Sequence, residues 1–512
     1  MNLDDPAERD PLAEDEEDEE SASETVDVLP LATDADTPIP ALREVRAQIV
    51  RLSEDGPVPA TEVDTDNDKT VVILEDPEGL APKPAVLTMW AYMLASLFDG
   101  HRSARTIADV FNQKFGQPVP VEETLDLQRE LDKALYLFSK RFAKTVRREI
   151  RGYLDHDIRP AVHAGVAYPA DAEQLQQSVM GFFIAPDGPG ACPVEPRGDA
   201  AASEKSPSGG EAARDTVRAL VLPHIDLRVG GATYAHGYAE LLKHSRADLF
   251  VILGVAHQAP DGGAYYVSQK DYATPVGVVK TERAMARRLQ AAGSTEPVLA
   301  ELAHRTEHSI EFQAVLLATL LERCGREFQI VPVLCGPAEA FMAKDAKPMD
   351  AEPVRKFTDA LRAELEACKR KWCVICSVDM SHVGPEFGHS TMMTERLLPP
   401  VARYDKKLLK TLERLDAAAF YAEILRTENS RHVDAVLANP PPQLLHGAGG
   451  FLDRRVVGCD ADVGRRVPAF QDALAQARLR DSELQLELLE FGGADAHPRE
   501  AFGGLARGFE AA

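Results

Sequence analysis

Four short apolar runs constrain this chain more than any other feature: Val217–Leu222, Leu249–Gly254, Phe328–Leu334 and the apolar half of Lys371–His382. Each is too short for a helix and partly β-branched, and each gives way at once to turn or polar residues, which reads as a strand buried on both faces. Helical patterns lie between the first three, at Tyr234–Leu242, Thr281–Ala292 and Phe312–Leu321. Strand and helix in alternation require right-handed crossovers and predict an α/β fold, a mainly parallel sheet flanked by helices. In such sheets ligands bind just outside the carboxyl ends of the strands. There the sequence places His224 and Asp226 in VRALVLPHIDLRVGG, His257 in DLFVILGVAH, and Asp379 and His382 in KWCVICSVDMSH. One histidine at a strand end is more often structural than a ligand; two on successive strands favour a site.

A further cluster, HRTEHSIE at His304–Glu311, opens the helix Phe312–Leu321. Neutral imidazoles suit Zn or Fe, so His224 and His257 are candidate metal ligands. Asp379 lies close enough to His382 to orient its ring or to hold a proton, and Glu307 and Glu311 bracket His308, making Asp379, His382 and His308 the candidate catalytic groups. The plainer readings are a solvated face for His304 and His308, and a helix-dipole role for Glu311. Cys373 and Cys376 form a CxxC inside a strand, where packing is the expected role.

The net charge of −25 is concentrated at one end: residues 1–40 carry fifteen acidic residues and one Arg. Such a segment, without aromatics, is expected to be a disordered acidic tail. The acidity excludes broad nucleic-acid binding, which needs a basic face. Seven scattered cysteines and no leader sequence at the start suggest a reducing cytoplasm. No apolar run reaches the roughly 18 residues of a membrane span. Between the tail and residue 152, a short helix is expected within Ala41–Leu52 and a strand at Thr70–Leu74. Three helices follow: one from Leu87, one capped by Ser103 and closed near Gly116, and one carrying Leu125, Leu127 and Leu131. Together they predict a small winged-helix-like domain at 41–152. An α/β domain follows over 153–512, and its segment 186–215, rich in Pro, Gly, Ser and charge, reads as a flexible insertion.

The stretch DPEGLAPKPAVLTMWAYMLASLFDGHRSARTIADVFNQKFG resembles PqqD-like domains, which bind peptides or partner enzymes. From Arg159 to Gly493 the motifs RPAVHAGVAYPAD, VLPHIDLRVGG, ILGVAHQ, YATPVG, EHSIEFQ, IVPVLCG and SVDMSH occur in the order seen in the Memo-like family. That family includes protein B of the AmmeMemoRadiSam system, a bacterial setting. The resemblance implies a fold similar to class III extradiol dioxygenases and a metal held by two His and a Cys. The His pair carries over to His224 and His257. The residues around it carry over to Asp379 and His382, and to Glu307, His308, Ser309 and Glu311.

Two departures stand out. The family's PHAGY is PHIDL here, with Asp226 for a glycine. The family's CGRH best matches NSRH, so Asn429 replaces the cysteine and Glu428 beside it is the candidate carboxylate, giving a two-His-one-carboxylate set. Two functions stay open at this point. One is a non-haem-iron-type redox or dioxygenase-like enzyme holding a divalent metal, Fe(II), on His224, His257 and Glu428 or Asn429. The other is a non-catalytic adaptor that binds a metal or ligand and recruits a partner through the PqqD-like domain. The resemblance implies a radical-SAM protein and an AMMECR-like protein as partners. A metal-free hydrolase lacks support, since no nucleophile motif such as GxSxG is present.

Overall fold

The computed structural model describes residues 28–438, except 44, 54–55, 60–69, 77–79, 194–216, 260–261, 339–347, 385–386, 388, 390, 415 and 435. Most of the expected acidic tail, most of the 186–215 insertion and everything after Ala438 lie outside the described residues. The chain divides into two compact units, one up to Arg148 and one from Glu149.

In the first unit β1 (Arg46–Ser53), β2 (Gly56–Pro59), β3 (Thr70–Glu75) and β4 (Ala85–Thr88) form an antiparallel sheet in the order β2-β1-β3-β4. The helix expected within Ala41–Leu52 is therefore a strand. The local signal was overridden by pairing, because Ile49 and Val50 sit opposite Val72 and Val71 of β3. Strand preference of this kind expresses cross-strand packing more than backbone propensity. Next come α1 (Met89–Ala95), α2 (Ala104–Phe115), α3 (Val121–Lys133) and α4 (Lys140–Asp155), whose second half belongs to the second unit. Ser103 caps α2 by accepting from the Thr106 amide, and Gly116 ends it at φ +67°, a left-handed turn that glycine adopts without strain. Ile107, Phe111, Leu127 and Leu131 bury the inner faces of α2 and α3 against β3 and β4.

The acidic tail was expected to extend to residue 40, but residues 28–40 are packed. Leu29 bridges Ser139, Pro38 bridges Ser103, and Asp34 folds the turn between them by accepting from the amides of Asp36 and Thr37. Ile39 is fully buried in the core of this unit. Its burial gives this segment the apolar anchor that a purely acidic stretch lacks. Ile39→Ala should cost about 2–5 kcal/mol, the usual range for an aliphatic core truncation, read as a lowered urea midpoint of the whole chain. A midpoint equal to wild type would mean that this segment is not part of the core.

The second unit runs through β5 (Ile158–Arg159), α5 (Ala172–Ile184), β6 (Ala219–Leu222), α6 (Leu227–His244), β7 (Leu249–Val255), β8 (Tyr265–Val267), β9 (Asp271–Thr274) and β10 (Gly277–Thr281). It continues with α7 (Arg283–Gly293), α8 (Pro297–Arg305), α9 (His308–Arg323), β11 (Gln329–Cys335), α10 (Glu352–Ala367), β12 (Trp372–Ser377), α11 (Leu398–Glu413) and α12 (Ala417–Arg426). The strands make one sheet in the order β5-β9-β10-β11-β7-β12-β6, with β8 antiparallel on β11. The central pairs β10–β11, β11–β7, β7–β12 and β12–β6 are all parallel.

Successive residues of each central strand point to opposite faces. Phe250, Ile252, Ile330, Leu334 and Ile375 pack towards α5, α6 and α9. Leu249, Val251, Leu253, Val331, Val333 and Val374 pack towards α7, α10, α11 and α12. Two-sided burial explains why the runs are continuously apolar. It also settles the CxxC: Cys373 belongs to one face and Cys376 to the other, so the two thiols are separated by the sheet.

Candidate metal centre

Strands β7, β12 and β6 are parallel neighbours, so their carboxyl ends open on one edge. Ser377 lies opposite Leu222 in the ladder, which sets Asp379 and His224 level with each other two residues further on. His257 follows the end of β7. The third side is the start of α9, where Glu307 is the N-cap and His308 the first helical residue. Gly254 lets that helix come close. A Cβ there would lie 2.6 Å from Ser309 Oγ and 2.8 Å from an Ile310 side-chain carbon. Ser309 Oγ uses this approach to accept from the Val255 amide at 3.0 Å and to donate to the Val255 carbonyl at 3.1 Å.

The result brings His224, His257 and His308 together, with one ring nitrogen from each within 4.8 Å of the others. The His257 and His308 rings stack at 4.8 Å, and the His224 ring stands edge-on to both, at 5.0 and 5.3 Å. His224 Nδ1 donates to the Ser377 carbonyl at 3.0 Å, and His257 Nδ1 donates to Glu307 at 3.0 Å. Both contacts hold the proton on Nδ1 and leave Nε2 free to coordinate. Glu307 also accepts from the amides of His257, His308 and Ser309. Burial opposes its charge, but these bonds and the neighbouring imidazoles outweigh burial and hold its carboxyl well below the usual carboxylate range. Burial, reinforced by the other imidazoles, lowers His308 to about 3 against the pull of Glu307, so its ring is neutral and suited to bind a cation. Burial also works against charge on His224, but the carboxylates of Asp379 and Asp434 prevail and raise it to about 10. Without a metal His224 therefore holds a proton that faces these carboxylates.

Asp379 accepts from the His224 amide at 3.0 Å. Asp434 accepts from the Asp379 amide at 2.8 Å, and its second oxygen lies 3.2 Å from His224 Nε2. His382 sits further out: its Nδ1 meets the His432 carbonyl at 2.8 Å and its Nε2 is 3.9 Å from Asp434. Sequence reasoning missed Asp434, whose only signal is an acidic residue between two valines that bury, Val433 and Val436. The structure does not bring Glu428 and Asn429 into the cluster. Glu428 is exposed. The Asn429 amide is engaged with the backbone of Val433, accepting at 2.9 Å and donating at 3.1 Å, and both residues have positive φ. Asp226 caps α6 and pairs with Arg228 at 2.7 Å, away from the cluster.

His304 is not on a solvated face but fully buried, with Nε2 against the Tyr266 carbonyl and Nδ1 against the Tyr272 hydroxyl. Burial lowers it from 6.5 to about 4, outweighing the bond to Tyr266, and the charge of Arg159 adds to the effect. Between those two pH values the unfolded chain binds a proton that the folded chain refuses. Stability should therefore fall as pH drops from 6.5 to about 4, and His304→Gln should show a shallower fall in urea midpoint over that window. Parallel curves for the two proteins would show that His304 is not the group responsible.

Behind the cluster lies a fully buried ion pair, Arg159–Glu311, at 2.5 Å. The guanidinium also donates to the carbonyls of His304 and Glu307 at 2.6 Å each, and Glu311 accepts from Tyr168 and from the His163 amide. This network ties the segment before α9 to β5 and so places His308.

Residues 159–434, more than half of the chain, match the family described as Memo-like protein. The chain belongs to that family. The matched span contains all three clustered histidines, Glu307, Asp379, His382 and, as its last residue, Asp434. A MEMO1 family protein of Aquifex aeolicus is 27% identical over 370 residues, covering 72% of this Memo-like chain and 85% of the relative. One from Methanobrevibacter smithii is 26% identical over 269 residues, 52% of this chain and 80% of the relative. One from Pyrococcus furiosus is likewise 26% identical, with the same coverage of each chain. Among the described residues of this family member, no helix is long and apolar enough to cross a membrane.

Proposed function

We propose that the Memo-like unit binds one divalent metal through His224, His257 and His308 and uses it for non-haem-iron-type redox chemistry. The observation that carries this reading is the convergence of three imidazoles, two of them with Nδ1 held by an acceptor so that Nε2 faces inward. Histidine ligands in metal sites are oriented in this way. The donor set fits the group: imidazoles with carboxylates nearby suit Fe(II) or Zn(II) and give Cu(I) no thiolate. The metal would supply a Lewis acid or a one-electron couple. His257, about 40% exposed, leaves one side of the cluster open to solvent, whereas His224 at 2% closes the other. On this reading Glu307 holds His257 and His308 in place, and Asp379 and His382 line the approach, where they hold or move a proton.

The fold similarity to class III extradiol dioxygenases that the Memo-like resemblance implies supports an oxidative activity and Fe(II) as the resident metal. The resemblance of the first unit's helical stretch to PqqD-like domains supports recruitment of a partner, and the Memo-like family's setting implies a radical-SAM protein and an AMMECR-like protein. Elemental analysis of full-length protein purified anaerobically without added metal tests the central claim, with about one equivalent of iron expected. Protein that holds no stoichiometric metal, even after incubation with Fe(II) or Zn(II), would return the chain to the adaptor reading.

A further inference from the structure

The thiolate that the family resemblance implies is absent here, and Asn429 at its place has an amide already engaged with the Val433 backbone. Five residues further on, Asp434 is divided between two tasks. One carboxylate oxygen anchors it to the Asp379 amide at 2.8 Å. The other is buried and makes no hydrogen bond outside the histidine cluster. That oxygen lies 3.2 Å from His224 Nε2. With the Ser377 carbonyl holding Nδ1, His224 Nε2 and this oxygen face each other across a gap that a proton on His224 spans in the metal-free protein and that a cation bound to both atoms would span in its place. Donor atoms each about 2.0–2.2 Å from one ion stand roughly 3 Å apart, close to the separation seen.

We propose that Asp434 is itself a metal ligand, the carboxylate that takes the place of the missing thiolate and completes a three-histidine, one-carboxylate set. The proposal rests on the metal-binding reading above. It also assigns to Asp434 the part that Glu428 holds in a reading from sequence alone.

Cobalt(II) is the probe, because a thiolate bound to it adds an intense near-ultraviolet charge-transfer band. Wild type, Asp434→Asn, Asp434→Cys, Asn429→Cys and His224→Ala are compared as full-length proteins, with circular dichroism to confirm folding. The wild type is expected to bind about one equivalent. Asp434→Asn should weaken Co(II) binding at least by the roughly 10–100-fold that even outer partners of a metal site command. Asp434→Cys should bind Co(II) and show the band, whereas Asn429→Cys should not.

If Asp434→Cys folds and binds Co(II) without the band, residue 434 is outside the coordination sphere and the proposal is overturned, even if Asp434→Asn binds weakly. Wild-type affinity in Asp434→Asn, or a band in Asn429→Cys alone, overturns it as well. Loss of metal in His224→Ala alongside any of these results leaves the histidine site standing. A wild type that binds no Co(II), Fe(II) or Zn(II) removes both readings together. Should Asp434→Cys fail to fold, a loss in Asp434→Asn beyond the roughly 100-fold of an outer partner supports the proposal, and a smaller loss overturns it.

Discussion

His224→Ala, His257→Ala and His308→Ala should each purify without stoichiometric metal, while His236→Ala, on the exposed face of α6, retains it. Structural zinc sites bind with about 10–16 kcal/mol, or roughly 3 kcal/mol for each of four ligands, so loss of one imidazole should weaken binding by on the order of a hundredfold or more. Water restores little of this, since it is a weaker donor and is not held in place by the fold. His308 is the sharpest of the three substitutions. From its sequence position it is a catalytic group, yet the structure sets its ring parallel to His257 at 4.8 Å. Metal retained in His308→Ala but lost in the other two would restrict the ligand set to His224 and His257. Equal metal in all four proteins would remove the site altogether.

The Arg159–Glu311 pair should give the largest stability effect. Both side chains are completely buried, so Arg159→Met leaves the Glu311 carboxylate without its cation, held only by the Tyr168 hydroxyl and the His163 amide. Breaking a buried pair from one side costs about 3–5 kcal/mol, whereas replacing both members with apolar groups is often close to neutral. Arg159→Met is therefore expected to lower unfolding stability by about that amount, and the double variant Arg159→Met/Glu311→Leu to recover a large part of it. Equilibrium urea denaturation of the metal-free proteins measures both. Full recovery is not expected, because the guanidinium also holds the carbonyls of His304 and Glu307, which the double variant leaves unpaired. A double variant no more stable than the single one would mean that these carbonyl bonds, and not the charge pair, carry the energy.

Much of the second unit was legible from residue order. Runs such as Leu249–Val255 and Gln329–Cys335 are apolar at nearly every position because both faces of the sheet are covered, and that pattern identifies central strands without knowledge of the partner elements. The places of His224, His257 and Asp379 just beyond three such runs follow from the same reading. So does the cap at Ser103, where a side-chain oxygen and the next turn of helix are neighbours in sequence. These are all local properties, set by a few adjacent residues.

What the tertiary structure alone decided are the pairings between distant segments. β12 lies between β7 and β6 although it is the last of the described strands in sequence, and that order puts Asp379 beside His224. β1 is a strand because β3 pairs with it, and Ile39 is ordered because a core about sixty residues further on receives it. His308 joins the histidines because Gly254 admits α9 at close range and Arg159 ties the residues before it to β5. Asp434, more than two hundred residues from His224, meets it through a loop with no periodic pattern. Contacts of this kind depend on how the chain closes in space, and neither periodicity nor spacing along the sequence records that closure.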